Sequence, residues 1–142
     1  MKKIICSAFL SIAFTFLCAQ DLQPFKQNDK WGYADEANRI VIPPNYEHAS
    51  LFLKNGLAKV SILDADINWK YGFIDKTGKM IIPLEYESLG EEFYSGLIEA
   101  KKKNKYGFLD KTGRAVIPFK YVLYMSFLKV MRQFTWTKNG VL

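Results

Sequence analysis

The sequence predicts an all-β fold: three tandem units of about 35–40 residues, each a short antiparallel β-meander, behind a cleaved signal peptide. Three observations predict it. The 142-residue chain is rich in aromatic side chains, with 11 Phe, 8 Tyr and 3 Trp, which suit a pleated, half-buried surface. Short apolar runs are separated by Asp- and Gly-containing turn signals. One segment pattern returns three times in register, the mark of stacked supersecondary units. Hydrophobic residues at 49% and charged residues at 24% exclude a wholly disordered or collagen-like chain.

Residues 1–20 read as the signal peptide. Met1-Lys2-Lys3 supplies a positive start, Ile4 to Leu17 is almost wholly apolar, and Cys18-Ala19-Gln20 closes the segment with short side chains. The apolar run falls short of the ~20 residues a membrane-spanning helix needs. The expected destination is periplasmic, extracellular or cell-surface. Cleavage near Gln20 would remove both Cys6 and Cys18, so the mature chain would have no disulfide, thiol nucleophile or Cys-ligated zinc. Lipidation at Cys18 is the competing fate, opposed by the bulky Leu17 just before it. Residues 21–29 read as a linker.

The three repeats occupy residues 30–121, divided as 30–69, 70–104 and an incomplete 105–121. Their starts are Lys30-Trp31-Gly32-Tyr33-Ala34-Asp35, Lys70-Tyr71-Gly72-Phe73-Ile74-Asp75 and Lys105-Tyr106-Gly107-Phe108-Leu109-Asp110. Each is followed at fixed spacing by Ile-Pro and then Tyr: Ile42-Pro43 and Tyr46, Ile82-Pro83 and Tyr86, Ile117-Pro118 and Tyr121. Between start and Ile-Pro lies a turn. Asp75-Lys76-Thr77-Gly78 and Asp110-Lys111-Thr112-Gly113 place Asp where its carboxylate accepts backbone N–H groups and Gly where a left-handed residue is needed. The first copy has Asp35-Glu36-Ala37-Asn38, with Asn as the next most tolerant left-handed residue. A β-hairpin follows in each unit. Pro43, Pro83 and Pro118 are expected to end its second strand, because proline lacks the N–H of a central ladder and either stops pairing or sits at an edge. Gly56-Leu57-Ala58-Lys59-Val60 and Gly96-Leu97-Ile98-Glu99-Ala100 supply a third strand. The extra length of the first repeat falls between Gly56 and Lys70, an insertion in one hairpin loop.

Together, the Lys-Trp-Gly-Tyr start, the Asp-Lys-Thr-Gly turn, the Ile-Pro-x-x-Tyr segment and the Gly-Leu-Ala strand resemble the WG-repeat family, bacterial arrays of short β-rich units. The resemblance runs from Lys30 to Tyr121. Only the first copy has Trp-Gly, at Trp31-Gly32; Tyr71-Gly72 and Tyr106-Gly107 carry an aromatic variant. The resemblance implies an extracytoplasmic or surface binding module and transfers no catalytic residue.

After Tyr121 the pattern breaks. Residues 122–142 hold Lys129, Arg132 and Lys138 with no acidic residue, and Met131 stands where a Gly is expected. Two readings stay open: a frameshift or truncation near Tyr121, or an atypical cap in which Trp136-Thr137-Lys138-Asn139-Gly140 echoes the turn. An uncapped final unit would expose a strand edge and self-associate. The formal net charge of +6 belongs mostly to the signal segment and this tail, which argues against a nucleic-acid footprint. Lys101-Lys102-Lys103 with Lys105 reads as a solvated loop.

The chain offers little for catalysis, and a non-enzyme without cofactor or metal is expected. His48 is the only histidine, and the pairs Glu85/Glu87, Glu91/Glu92 and Asp64/Asp66 sit on polar segments. Asp64-Ala65-Asp66-Ile67-Asn68 copies the first oxygen positions of a calcium loop, but Trp69 occupies the position that needs Gly. Trp31, Tyr71 and Tyr106 recur once per unit, either as the packed face or as a ladder of flat binding faces. Trp69, in the inserted loop, is the better candidate for an exposed contact. These four are the candidate ligand-binding residues. The function expected is protein–protein interaction or assembly; the alternative is a cell-wall or carbohydrate-binding module using aromatic faces. The partner is therefore a protein or a cell-surface polymer.

Overall fold

The computed structural model describes residues 21–122 and Arg132, and folds the former into three antiparallel sheets. The expected signal peptide with Cys6 and Cys18, and nearly all of the C-terminal tail, lie outside the described residues. The first sheet is β1 (Gln23–Gln27), β2 (Lys30–Ala34) and β3 (Ile40–Tyr46). The second has the order β4 (His48–Ala49), β5 (Leu57–Leu63), β6 (Trp69–Asp75) and β7 (Met80–Tyr86). The third repeats it with β8 (Ser88–Leu89), β9 (Leu97–Lys102), β10 (Lys105–Asp110) and β11 (Ala115–Tyr121). The all-β array of meanders expected from the sequence is the architecture observed.

Its sheets are out of phase with the sequence repeats. The Gly-Leu strand assigned to the end of one repeat pairs forward: β5 runs against β6 from Leu57↔Asp75 to Leu63↔Trp69. The change of sheet occurs just after the recurring tyrosines Tyr46 and Tyr86, where the Glu47 N–H donates to the Ser61 carbonyl at 2.8 Å and the Glu87 N–H to the Lys101 carbonyl at 2.8 Å. Boundaries at 69 and 104 thus cut through hairpins, and the sheets end at Tyr46 and Tyr86. The linker assigned to 21–29 is corrected by the same pattern. It contains β1, the counterpart of β5 and β9, paired with β2 from Gln23↔Ala34 to Gln27↔Lys30. Asn28 and Asp29, with φ 49° and 63°, form the two-residue reverse turn that matches strand twist, and Lys103-Asn104 at 51° and 59° does the same in the third sheet. Pro24 is tolerated because β1 is an edge strand.

The prolines also sit differently from expectation. Pro43, Pro83 and Pro118 lie inside β3, β7 and β11 rather than at their ends. Each of these is an edge strand, so the missing N–H leaves no ladder partner unsatisfied. Pairing slips there: Tyr71 faces Tyr86 and Phe73 faces Ile82, so a two-residue step on β6 spans four residues on β7. The excess chain bulges over Gly72. A Cβ on Gly72 would lie 2.5 Å from the Ile82 carbonyl oxygen and 3.1 Å from the Leu84 nitrogen; at Gly32 the distances to Ile42 O and Pro43 C are 2.5 and 2.8 Å. The aromatic-Gly and Ile-Pro segments of the repeat are one device, a bulge seated on a bare backbone.

Turns after β2, β6 and β10 have the expected form. Asn38, Gly78 and Gly113 occupy the left-handed region at φ 57°, 83° and 82°. Asp35, Asp75 and Asp110 each accept two backbone N–H bonds through Oδ1, those of Asp75 coming from Thr77 and Lys79 at 2.9 and 3.0 Å. The turns also join the units. A Cβ on Gly78 would touch the Ile42 side chain at 3.4 Å, and one on Gly113 would meet the Ile81 carbonyl at 2.9 Å, so each turn rests on the Ile-Pro strand of the preceding unit.

The core lies between sheets. Ala58, Val60 and Ile74 of the second sheet pack with Tyr33 and Ile42 of the first. From its other face Leu57, Phe73, Ile82 and Tyr86 pack with Leu89, Ile98, Ala100 and Leu109 of the third. Both faces of the middle sheet are therefore covered, as stacking of repeats requires. Tyr33 is fully buried against Phe52, ring centroids 4.8 Å apart, and its hydroxyl donates to the Ser50 carbonyl at 2.8 Å. Phe73 is its counterpart, 5.5 Å from Phe93. Desolvation raises the Tyr33 phenol far above its ordinary pKa, and the Tyr86 phenol, buried beside Glu85, is pushed up to about 12.

Candidate functional site

The insertion between Gly56 and Lys70 lengthens β5 and β6 relative to β9 and β10 and gives their hairpin a longer tip. It carries Trp69 outward, to 45% exposure, while alternation along β6 places Trp69 and Tyr71 on one face. Their rings stack at 26° with centroids 6.4 Å apart. This aromatic strip forms one wall of a groove of about 430 Å³ between the second and third sheets. The size falls in the range of small-ligand sites, roughly 300–1,000 Å³.

Polar side chains complete the groove. Lys59 reaches across it, donating from Nζ to the Leu89 carbonyl at 2.7 Å and to Glu91 Oε1 at 2.6 Å while sitting 5.0 Å from the Tyr71 ring centroid. His48, opposite Ser61 in the β4–β5 pairing, lines the entrance beside Trp31, ring centroids 6.3 Å apart. Ser61 is 2% exposed, and its Oγ is buried without a hydrogen-bond partner among the described residues. Such a group costs free energy comparable to a lost hydrogen bond. The third sheet is built otherwise: its residue equivalent to Ser61 in register is Lys101, whose Nζ lies 5.7 Å from the Tyr106 ring centroid and 3.8 Å from Glu87 Oε2.

Of the four sequence candidates, the structure brings together Trp69 and Tyr71. Trp31 borders the same groove through His48, and Tyr106 lies on the third sheet, away from it. Trp31, Tyr71 and Tyr106 are all half-buried and pack against the core clusters, so the recurring aromatic position serves packing first. Sequence reasoning missed Ser61, Lys59 and Glu91 as groove residues. For Lys59 and Ser61 the signal was their position flanking the insertion, on the strand that must pair with Tyr71; Glu91, two residues beyond β8, reaches the groove only through the stacking of the third sheet.

Asp64 illustrates why an acidic motif misleads. Its Oδ1 accepts the N–H groups of Asp66 at 3.0 Å and Asn68 at 2.9 Å, the arrangement seen at Asp35, Asp75 and Asp110. The first three oxygen positions of the supposed calcium loop are therefore a fourth copy of the turn. Among the described residues no group of three or more His, Cys, Asp or Glu side chains is placed to hold a metal ion. All four turn carboxyls are held below the ordinary value of 3.8. The largest influence is the Arg39 backbone bond at Asp35, the Asn68 backbone bond at Asp64 and the Thr112 hydroxyl at Asp110. At Asp75 desolvation is largest and opposes the shift, but bonds from Thr77 and Lys79 outweigh it.

Stacked β-meanders built on turns of one geometry define a tandem-repeat β module. The description "WG containing repeat" matches residues 31–64, 71–106 and 106–127, and the chain belongs to that family. No curated protein and no solved structure matches the chain.

Proposed function

We propose that this repeat module is exported and non-catalytic, and that it binds a protein partner through the tip of the β5–β6 hairpin. The observation that carries the reading is Ile67. It occupies the left-handed region at φ 60°, where the three sister turns have Asn38, Gly78 and Gly113. A side chain there costs about 1–2 kcal/mol, more for a β-branched one. Ile67 is nonetheless 78% exposed and belongs to none of the core clusters among the described residues. Beneath it the cross-strand pair Leu63 and Trp69 is exposed by 37% and 45%. Strain and apolar exposure at one tip, against the interest of stability, point to a surface kept for contact.

The test is Ile67→Asn, which introduces the residue found at the first sister turn. The variant is expected to melt a few degrees higher than the parent and to lose retention of an envelope protein from the producing cell on the immobilised chain. A more stable variant that retains the same protein undiminished would overturn the reading. Light scattering of the full chain separates a second copy from a different partner. A specific observation, the Trp69–Tyr71 strip beside a polar groove, favours the carbohydrate-binding alternative as a second reading.

A further inference from the structure

We propose that the groove between the second and third sheets binds a neutral saccharide, one ring stacked on Trp69 and Tyr71 and its hydroxyls held by Ser61, Ser88 and His48. The proposal rests on the carbohydrate reading; it shares Trp69 with the hairpin tip but does not involve Ile67. Four features of the groove converge on this ligand class.

First, the wall is a flat aromatic strip, and a sugar ring presents a C–H face of matching shape and weak positive character to it. Second, Ser61 lines the groove and its buried Oγ has no hydrogen-bond partner among the described residues, so a change of side-chain rotamer would present an unengaged donor–acceptor group to a ligand hydroxyl. Third, the groove's strong charges are already engaged with each other: Lys59 is spent on Glu91 and on the Leu89 carbonyl. An anionic ligand would have to break that pair, and a neutral polyol would not. Fourth, the equivalent place in the third sheet holds the long Lys101 side chain where Ser61 stands here, and the third sheet lacks the extension that carries Trp69. The groove is thus particular to the second sheet, whereas a feature needed only for folding would recur in each unit.

The experiment is a titration of the full chain with three neutral tetrasaccharides, β-1,4-linked glucose, β-1,4-linked N-acetylglucosamine and α-1,4-linked glucose, followed by calorimetry and tryptophan emission. At least one is expected to give saturable heat with a shift in emission. Trp69→Ala should weaken that binding about tenfold or more, the effect of removing a stacking face. Ser61→Ala should weaken it several-fold without lowering the melting temperature, because the hydroxyl removed has no partner among the described residues to lose. Ile67→Asn should leave it unchanged, so failure here and failure of the protein-contact reading are read separately. Absence of saturable binding by all three sugars, or binding that survives both Trp69→Ala and Ser61→Ala, would overturn the proposal.

Discussion

Replacing Gly72 by Ala tests the central packing argument, that the aromatic-Gly and Ile-Pro segments form one bulge seated on bare backbone. The added Cβ would sit 2.5 Å from the Ile82 carbonyl oxygen and 3.1 Å from both the Pro83 carbonyl carbon and the Leu84 nitrogen. All three are backbone atoms, so no rotamer change relieves the clash, and β7 must lift by nearly an ångström to reach ordinary contact. Overpacking of this kind costs about 1–3 kcal/mol, and lifting a strand whose Ile82 and Tyr86 are core residues places it at the upper end. Restricting the unfolded chain returns about 0.4–1 kcal/mol. The net loss expected is about 2 kcal/mol, or roughly 8–16 °C in melting temperature for a domain of this size. Gly90→Ala is the matched control, since its Cβ would meet the Ile98 side chain at 3.2 Å, and its backbone contacts, the Glu99 nitrogen at 3.7 Å and the Glu92 carbonyl oxygen at 3.8 Å, are at ordinary van der Waals distance. Thermal denaturation followed by circular dichroism reads both. A Gly72→Ala protein melting within 2 °C of the parent would refute the bulge argument.

Acid unfolding and calcium binding give two further checks. The carboxyls of Asp35, Asp64, Asp75 and Asp110 titrate below 3.8 in the folded chain, so their turn bonds contribute in full above that value and are lost as pH falls through and below it. Burial raises the Glu99 carboxyl above 4.5, which acts with the opposite sign and favours folding as that group takes up its proton. Urea midpoints should therefore hold steady or rise slightly from pH 6 toward 5 and fall steeply below 4; a midpoint still rising at pH 3 would contradict the assignment. Calcium added to the full chain should give no heat above dilution, because Asp64 already serves backbone N–H groups through Oδ1, and micromolar binding would show that this turn opens to a metal.

How much could be read in advance follows from the range of each interaction. Turns are local: Asp at the first position and Gly or Asn at the left-handed one specify them within five residues, and all three expected copies are present. The hairpins followed from them. Sheet membership is not local. Strand β5 pairs with β4 and β6 rather than with the Ile-Pro strand β3, because the chain leaves the first sheet after Tyr46 and the Glu47 N–H finds the Ser61 carbonyl, a contact that periodicity cannot reveal since both phases repeat equally well. The Pro-bearing strands continue because the bulge shields an edge, a cooperation between Gly72 and Pro83 that neither residue announces alone. Strand β1 was hidden by Pro24 and polar neighbours, although Asn28-Asp29 held the turn signal. At the groove, aromatic residues were visible as a class, and the insertion singled out Trp69. The burial of Ser61 depends on three strands and the third sheet meeting, which no single segment encodes.

The phase difference between repeat and sheet has a consequence for how such a chain grows. A duplicated stretch beginning at a Lys-aromatic-Gly start carries the closing hairpin of one sheet and the two opening strands of the next, so the new copy is bonded into both neighbours like bricks laid in running bond. A gene can lengthen or shorten by whole repeats while every interior sheet keeps its full set of strands. The same overlap means that melting one repeat unzips parts of two sheets, which ties adjacent units into a single cooperative transition even though each carries its own hairpin turn.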